Sequence, residues 1–416
     1  MPQCANLSAP PGGGEFHHGS PAEADTIDRM PLPATERILL GPGPSLIPPR
    51  VMRALAAPVL SHLDPDFVPM LDEVRASLLR VFRADEGALT LATSGTGTSA
   101  MEAAVANAVG EGMRGVVVVT GYFGDRLVQM FERYGARVSR VDVEWGRACD
   151  PQRLRDHLHR EGAEVVGIVH AETSTGVCNP VRELAAVARE HGALTIVDTV
   201  TSLGGQELDF AGWGVDIAYS CSQKCLGAPS GMSPIAVAGA ARARLLKCRS
   251  FYLDLKLLED YWVGRKYHHT LSTSLIYALR EALMMVEEEG LPQRVARHER
   301  HHRALLAGIE AMGLSLLPPA GERLWTLNTV RVPAGVDEAA VRRTLLTAFN
   351  IEVGAGLGPL AGKIWRVGLM GASSTPQTLL QFLAALEAAL AAQGHSVRAG
   401  AGVAAAAESL RQLTPA

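Results

Sequence analysis

Three short stretches of the chain carry side chains that could act on a single ligand. Thr93-Ser94-Gly95-Thr96-Gly97-Thr98-Ser99-Ala100 follows an apolar run and opens a helix-like stretch. Free backbone N–H groups and the positive dipole end of a helix bind anions there, and the Ser and Thr hydroxyls add donors. Leu194-Thr195-Ile196-Val197-Asp198 sets a carboxylate at the end of a strand-like run, the edge on which open α/β sheets hold their ligands. Tyr219-Ser220-Cys221-Ser222-Gln223-Lys224 leads off another such run to a lysine, followed by a Gly/Pro-rich turn. An amine beside apolar residues is desolvated, its pKa falls, and it becomes free to bond an aldehyde. Taken singly, each has a plainer reading: a turn capping a helix, an Asp capping a turn, a lysine ending a strand at the surface. Taken together, with Asp198 and Lys224 26 residues apart on successive strands, they meet the needs of pyridoxal 5′-phosphate. That group requires a lysine for its aldehyde, an acid for its ring nitrogen and a helix start for its phosphate.

Two other motifs compete. Gly95, Gly97 and Ala100 match the dinucleotide pattern G-x-G-x-x-A, the loop of an NAD-dependent dehydrogenase, but the next strand ends in Thr120-Gly121-Tyr122 and offers no carboxylate for a ribose. His298-Glu299-Arg300-His301-His302 matches the zinc helix H-E-x-x-H,. Arg294, Arg297, Arg300 and Arg303 around it predict a charged, solvated helix face, and no metal site is expected. The six cysteines (Cys4, Cys149, Cys178, Cys221, Cys225 and Cys248) lack C-x-x-C spacing and fit reduced thiols of a cytoplasmic protein.

The elements that must position these residues are legible as alternating patterns. Apolar runs stand at 88–92, 115–120, 138–141, 165–170, 194–198, 217–220 and 234–237, and several are rich in Val and Ile without alternation, as in strands buried on both faces,. Between them, 99–109, 124–134, 151–159 and 182–191 have the length and apolar spacing of crossover helices. The expected fold is α/β, a mostly parallel seven-stranded sheet between helices. Beyond about residue 270 the texture changes to long helices (272–289, 292–312), strands at 327–332 and 364–368, and helices at 338–349 and 376–392, a smaller α+β domain. The Ala-rich 400–407 reads as a turn before a last short helix. The division is therefore a flexible tail over 1–35, a large cofactor domain over 36–270 and a small C-terminal domain over 271–416. With 416 residues and a net charge of −4, the chain can build a large core and has no basic excess for nucleic acid. No uncharged apolar run approaches bilayer-spanning length, so no membrane is expected.

In these residues the chain resembles the class V, fold type I pyridoxal-phosphate enzymes, and within them the alanine-glyoxylate / serine-pyruvate aminotransferases. The likeness spans about 39–390 and rests on Gly41-Pro42-Gly43-Pro44-Ser45, Ser94-Gly95-Thr96-Gly97, Glu172-Thr173-Ser174-Thr175-Gly176, Val197-Asp198-Thr199-Val200-Thr201-Ser202-Leu203-Gly204-Gly205, Ser222-Gln223-Lys224, Ser250-Phe251-Tyr252-Leu253-Asp254, Tyr267-His268-His269-Thr270, Gly356-Leu357-Gly358-Pro359 and Arg366-Val367-Gly368. The resemblance implies that Lys224 binds the cofactor aldehyde, Asp198 partners the pyridinium, and Gln223, Thr96, Gly97 and Thr98 hold the phosphate. It gives Phe123 the stacking position, often Trp in the family, and Thr173 the hydroxyl near the cofactor's O3′. Tyr267 and Thr270 are implied to reach the phosphate of the neighbouring subunit's cofactor, hence a homodimer with shared sites; His268 and His269 between them are read as structural. Arg366 is implied to clamp the substrate carboxylate, with Gly43 on the substrate side. Thr98 departs from the His of some relatives, leaving its backbone N–H available. The implied activity is transfer of an amino group from alanine or serine to glyoxylate or pyruvate, or from a pathway-specific amine such as ureidoglycine. A cysteine desulfurase would carry His where this chain has Gln223, and a silent scaffold would not need Lys224, Asp198 and Arg366 together.

Overall fold

The seven apolar runs form the strands of one sheet: β1 (Leu89–Gly95), β2 (Arg114–Val119), β3 (Arg137–Asp142), β4 (Val165–Val169), β5 (Leu194–Asp198), β6 (Ile217–Tyr219) and β7 (Gly231–Val237), in the order β1-β7-β6-β5-β4-β2-β3. They are seen in a computed structural model that describes residues 36–413; the tail expected over 1–35 lies outside the described residues, as does Cys4. All neighbours pair in parallel except at β7, which is antiparallel to both β1 and β6. Every residue of β4 and β5 is buried, which is why these strands read as continuous apolar runs rather than alternating ones. β3 lies at the edge, is mostly exposed or half-buried, and carries Arg137, Arg140 and Asp142, charges that discourage pairing with another chain.

The crossovers are α1 (Gly97–Ala108), α2 (Tyr122–Arg133), α3 (Pro151–Glu161) and α4 (Val181–Glu190). α3 begins where its sequence says it should: the Asp150 carboxylate accepts the Gln152 N–H at 2.9 Å, and Pro151 occupies the first turn,. α1 buries Ala100, Ala103 and Ala104, small side chains that let its axis lie close to the sheet.

After α5 (Thr273–Glu289) and α6 (Leu291–Ala311), the strands β8 (Leu327–Arg331), β9 (Gly354–Ala355) and β10 (Ile364–Gly368) make a small antiparallel sheet in the order β8-β10-β9. α7 (Glu338–Phe349) and α8 (Pro376–Ala391) accompany it. A separate apolar cluster including Leu305, Ile309, Val330, Trp365 and Phe382 is buried there, each such side chain contributing about 1.5–3 kcal/mol. β10 matters for function because it carries Arg366, paired in register with Thr329 and Gly354.

Two expectations are corrected. The turn expected over 400–407 ends at Gly400: α9 (Ala401–Leu413) takes up the rest of the stretch, as the high helix propensity of Ala favours. The H-E-x-x-H segment on α6 is not a solvated face, since His298, His301, His302 and Arg294 are buried. His298 Nδ1 donates to the Arg294 carbonyl at 2.7 Å and its Nε2 accepts the Gly371 N–H at 3.1 Å; His301 bonds Ser374 Oγ at 2.9 Å and His302 bonds Asn328 Oδ1 at 2.6 Å. Arg294 itself donates to the carbonyls of Cys225 (2.7 Å) and Gly204 (3.2 Å). These rings and guanidinium groups tie the lysine-bearing turn to the segment after β10. No described helix is long and apolar enough to cross a membrane.

Candidate active site

Because β1, β2, β4, β5 and β6 run in one direction, their C-terminal ends share one edge of the sheet. Eight of the predicted residues line a single cavity there: Thr96, Gly97, Thr98, Phe123, Thr173, Asp198, Gln223 and Lys224. Thr96 stands at the N-cap of α1 with an extended backbone and no side-chain cap, so the first N–H groups of that helix have no acceptor within it.

Asp198 ends β5, 3% exposed. Its Oδ2 accepts the Tyr219 hydroxyl at 3.0 Å and its Oδ1 the Val200 N–H at 2.8 Å. Burial pushes the carboxyl up to about 6, although both hydrogen bonds and the positive charges of Arg126 and Lys224 favour the ionised form,. Lys224 lies in the turn between β6 and β7. That turn is pinned by Ser45, whose N–H donates to the Gln223 carbonyl at 3.0 Å and whose hydroxyl donates to the Lys224 carbonyl at 2.7 Å. The Lys224 amine donates to the Pro42 carbonyl, and burial draws its pKa below the ordinary lysine value.

Gly43 and Arg366 approach the same place from other elements. Gly43 has a φ of +109°, and a Cβ on it would run into the Lys224 side chain; only glycine suits that position. Arg366, 7% exposed, donates from Nε to the Ala355 carbonyl at 2.6 Å and reaches the Thr173 carbonyl from Nη1 at 3.5 Å. Burial works against its charge, and the carboxylates of Glu172 and Glu352 favour it.

The structure does not bring Tyr267 and Thr270 to this cavity. Tyr267 is 63% exposed, with its ring 5.6 Å from that of His62, and Thr270 borders a separate groove with His62 and Ser272. Their segment nonetheless touches the phosphate-type loop, since His269 Nε2 bonds Ser94 Oγ at 2.9 Å.

Two residues escaped sequence reasoning. Glu172, fully buried, accepts the N–H groups of Phe123 and Gly124, each at 3.1 Å, while Ser174 Oγ accepts that of Tyr122 at 2.9 Å. α2 has no side-chain cap of its own; the Glu172-Thr173-Ser174 loop supplies one from across the sheet and so fixes Phe123. Burial holds the Glu172 carboxyl up at about 7. Its place beside Thr173 in Glu172-Thr173-Ser174-Thr175-Gly176 was the available signal. Arg126 also lines the cavity, and in sequence nothing separates it from the other charges of α2.

The cavity fits pyridoxal phosphate on its own chemistry. An amine with a lowered pKa faces a buried acid, and the uncapped start of α1 offers N–H groups to an anion. Gln223 adds a buried Oε1 without a hydrogen-bond partner; turned over, the same amide would donate to a phosphate oxygen. A mostly parallel α/β sheet with this constellation at its C-terminal edge defines a pyridoxal-phosphate enzyme of fold type I. The pattern of the aminotransferase class-V family matches residues 38–372, and the chain belongs to that family, whose members depend on pyridoxal phosphate. It is 37% identical over 387 residues to the (S)-ureidoglycine–glyoxylate transaminase of Bacillus subtilis, covering 88% of this chain and 93% of that protein. The alanine–glyoxylate aminotransferase of Drosophila melanogaster is 37% identical over 372 residues, 87% of this chain and 94% of that one. Among solved structures, the alanine–glyoxylate aminotransferase of Nostoc sp. superposes with a TM-score of 0.85 at 46% identity, over 88% of this chain and 98% of the other. This membership sets the dehydrogenase reading aside.

Proposed function

We propose that this transaminase moves the amino group of a small amino acid, alanine or serine, to a small 2-oxo acid, glyoxylate or pyruvate. The observation that carries the reading is the convergence of Arg366, Gly43 and Lys224. A buried guanidinium held by two carbonyls presents a planar fork to a carboxylate, beside an amine held against the Pro42 carbonyl. Bound pyridoxal phosphate supplies an aldehyde that condenses with amines and a ring that accepts the electron pair left when a Cα proton departs. Lys224, Asp198, Gln223, Thr96, Gly97, Thr98, Phe123 and Thr173 are the residues that would hold it. Arg366 fixes the substrate carboxylate and so orients the Cα–H bond. The Lys224 amine, desolvated and therefore available as a free base, takes the proton from Cα. The Asp198 carboxylate keeps the ring nitrogen protonated, and the burial of both groups excludes water.

Glyoxylate is supported as acceptor by the names of the Bacillus, Drosophila and Nostoc relatives, and the Bacillus relative favours a second reading in which the donor is ureidoglycine. Mixing the loaded enzyme with L-alanine or L-serine is expected to bleach the visible cofactor band, and adding glyoxylate or pyruvate to restore it. Bleaching by ureidoglycine alone would replace the donor assignment, and no bleaching by any of these amines would overturn the reading.

The same reading includes a cytoplasmic homodimer. Phe251, 70% exposed, lies against His268, Tyr252 against His269, and Tyr267, 63% exposed, against His62, exposed aromatic surface of the kind interfaces cover. Sedimentation velocity should give a particle of twice 44.1 kDa; a 44.1 kDa particle at micromolar concentration would remove the dimer and with it the shared-site role of Tyr267 and Thr270.

A further inference from the structure

We propose that Arg126 is the cationic contact for the cofactor's phosphate, an inference that rests on pyridoxal phosphate occupying the Lys224 cavity. Among the side chains lining that cavity only two carry a positive charge, Lys224 and Arg126. The Lys224 amine is committed to the aldehyde end of the ligand, so the phosphate must find its countercharge elsewhere. Backbone N–H groups at the start of α1 contribute partial charges, whereas a phosphate taken out of water is held far better when a full opposite charge reaches it.

Arg126 is placed to supply that charge. It sits on α2 three residues beyond Phe123, one helical turn on and on the same side. Its guanidinium lies 5.0 Å from the centroid of the Phe123 ring and 5.4 Å from that of Tyr122, so two aromatic faces orient it. Nη1 donates to Thr98 Oγ1 at 3.2 Å, which brings the guanidinium to the first turn of α1, where the anion-binding N–H groups are. Among the described residues no carboxylate stands within ion-pair distance of Arg126, although its neighbour Asp125 pairs with Arg140 at 2.6 Å. Four of its five N–H donors are left for other partners. The hydroxyl of Thr98 thus acts as a bracket for Arg126, and the departure of position 98 from His acquires a physical use.

The test compares two ligands that share the ring and the aldehyde and differ in the phosphate. Full-length wild type, Arg126→Gln and Arg126→Lys, stripped of cofactor, are titrated with pyridoxal phosphate and with pyridoxal, and binding is read from cofactor absorbance. Far-ultraviolet circular dichroism verifies that each variant is folded. Loss of one charge-assisted contact should weaken pyridoxal phosphate by about 10- to 100-fold in Arg126→Gln, with partial recovery in Arg126→Lys and pyridoxal affinity unchanged. Equal weakening of both ligands would overturn the proposal, because Arg126 would then act through the Phe123 ring. Unchanged affinity for both would overturn it as well. Failure of the wild type to take up either ligand would instead bring down the cofactor reading on which the proposal stands.

Discussion

Replacing Lys224 with alanine should leave a folded protein whose transamination rate falls by about 10⁴-fold or more. Positioned acid–base groups contribute up to about 10⁴, and covalent capture of the aldehyde is lost in addition. The amine has no understudy, because no second lysine and no histidine lines the cavity among the described residues. Folding should survive, since the turn is held through backbone carbonyls that accept from Ser45 and Arg294, and removal of a desolvated amine relieves a cost. Borohydride reduction followed by intact mass measurement reads the result directly: the wild type gains the mass of the cofactor and Lys224→Ala does not. Covalent retention in the variant, or a rate within tenfold of wild type, would remove Lys224 from the centre of the chemistry.

The sheet was legible in the sequence because central strands such as β2 and β4, buried along almost their whole length, are written as nearly continuous Val and Ile, and all seven runs became strands. The pairing of Asp198 with Lys224 was legible for a related reason, since the ends of successive parallel strands must share an edge. Glu172 was not, because its meaning lies in N–H groups 48 and 49 residues away, and no local pattern announces a cap supplied from another loop. The histidines of α6 misled in the opposite direction. Arginine neighbours suggest water, but His298 and His301 find their partners in Gly371 and Ser374, 73 residues on, and long-range contact overrode local composition. Arg126 shows the limit most clearly: its chemistry depends on which wall of α2 faces the cavity, and helical periodicity gives a face without naming what lies opposite.

The second large effect is expected at Asp198, where Asp198→Asn should separate stability from activity. Burial raises the carboxyl from 3.8 to about 6 in the cofactor-free fold. A carboxyl whose folded pKa lies above its unfolded value binds its proton longer in the native state. Its ionisation therefore destabilises the fold as pH rises from about 4 to about 6, by roughly 3 kcal/mol once complete. Asn never ionises, while Glu172, held up at about 7 by the same burial, titrates in both proteins. Urea unfolding of the stripped proteins should accordingly show the variant gaining about 2–3 kcal/mol on the wild type between pH 4 and pH 7. With the cofactor bound as proposed, the balance should reverse: the carboxylate would face a protonated ring nitrogen that offsets its desolvation, and Asn would leave that nitrogen only weakly partnered. Loss of one preorganised charge at a site of developing charge costs about 10²–10³ in rate, so kcat should fall by that factor while the variant still binds Lys224 to the aldehyde. Parallel pH dependences of stability in the two stripped proteins would mean that Asp198 is not the strained acid of the cavity. An undiminished kcat would mean that the ring nitrogen takes its partner from another residue.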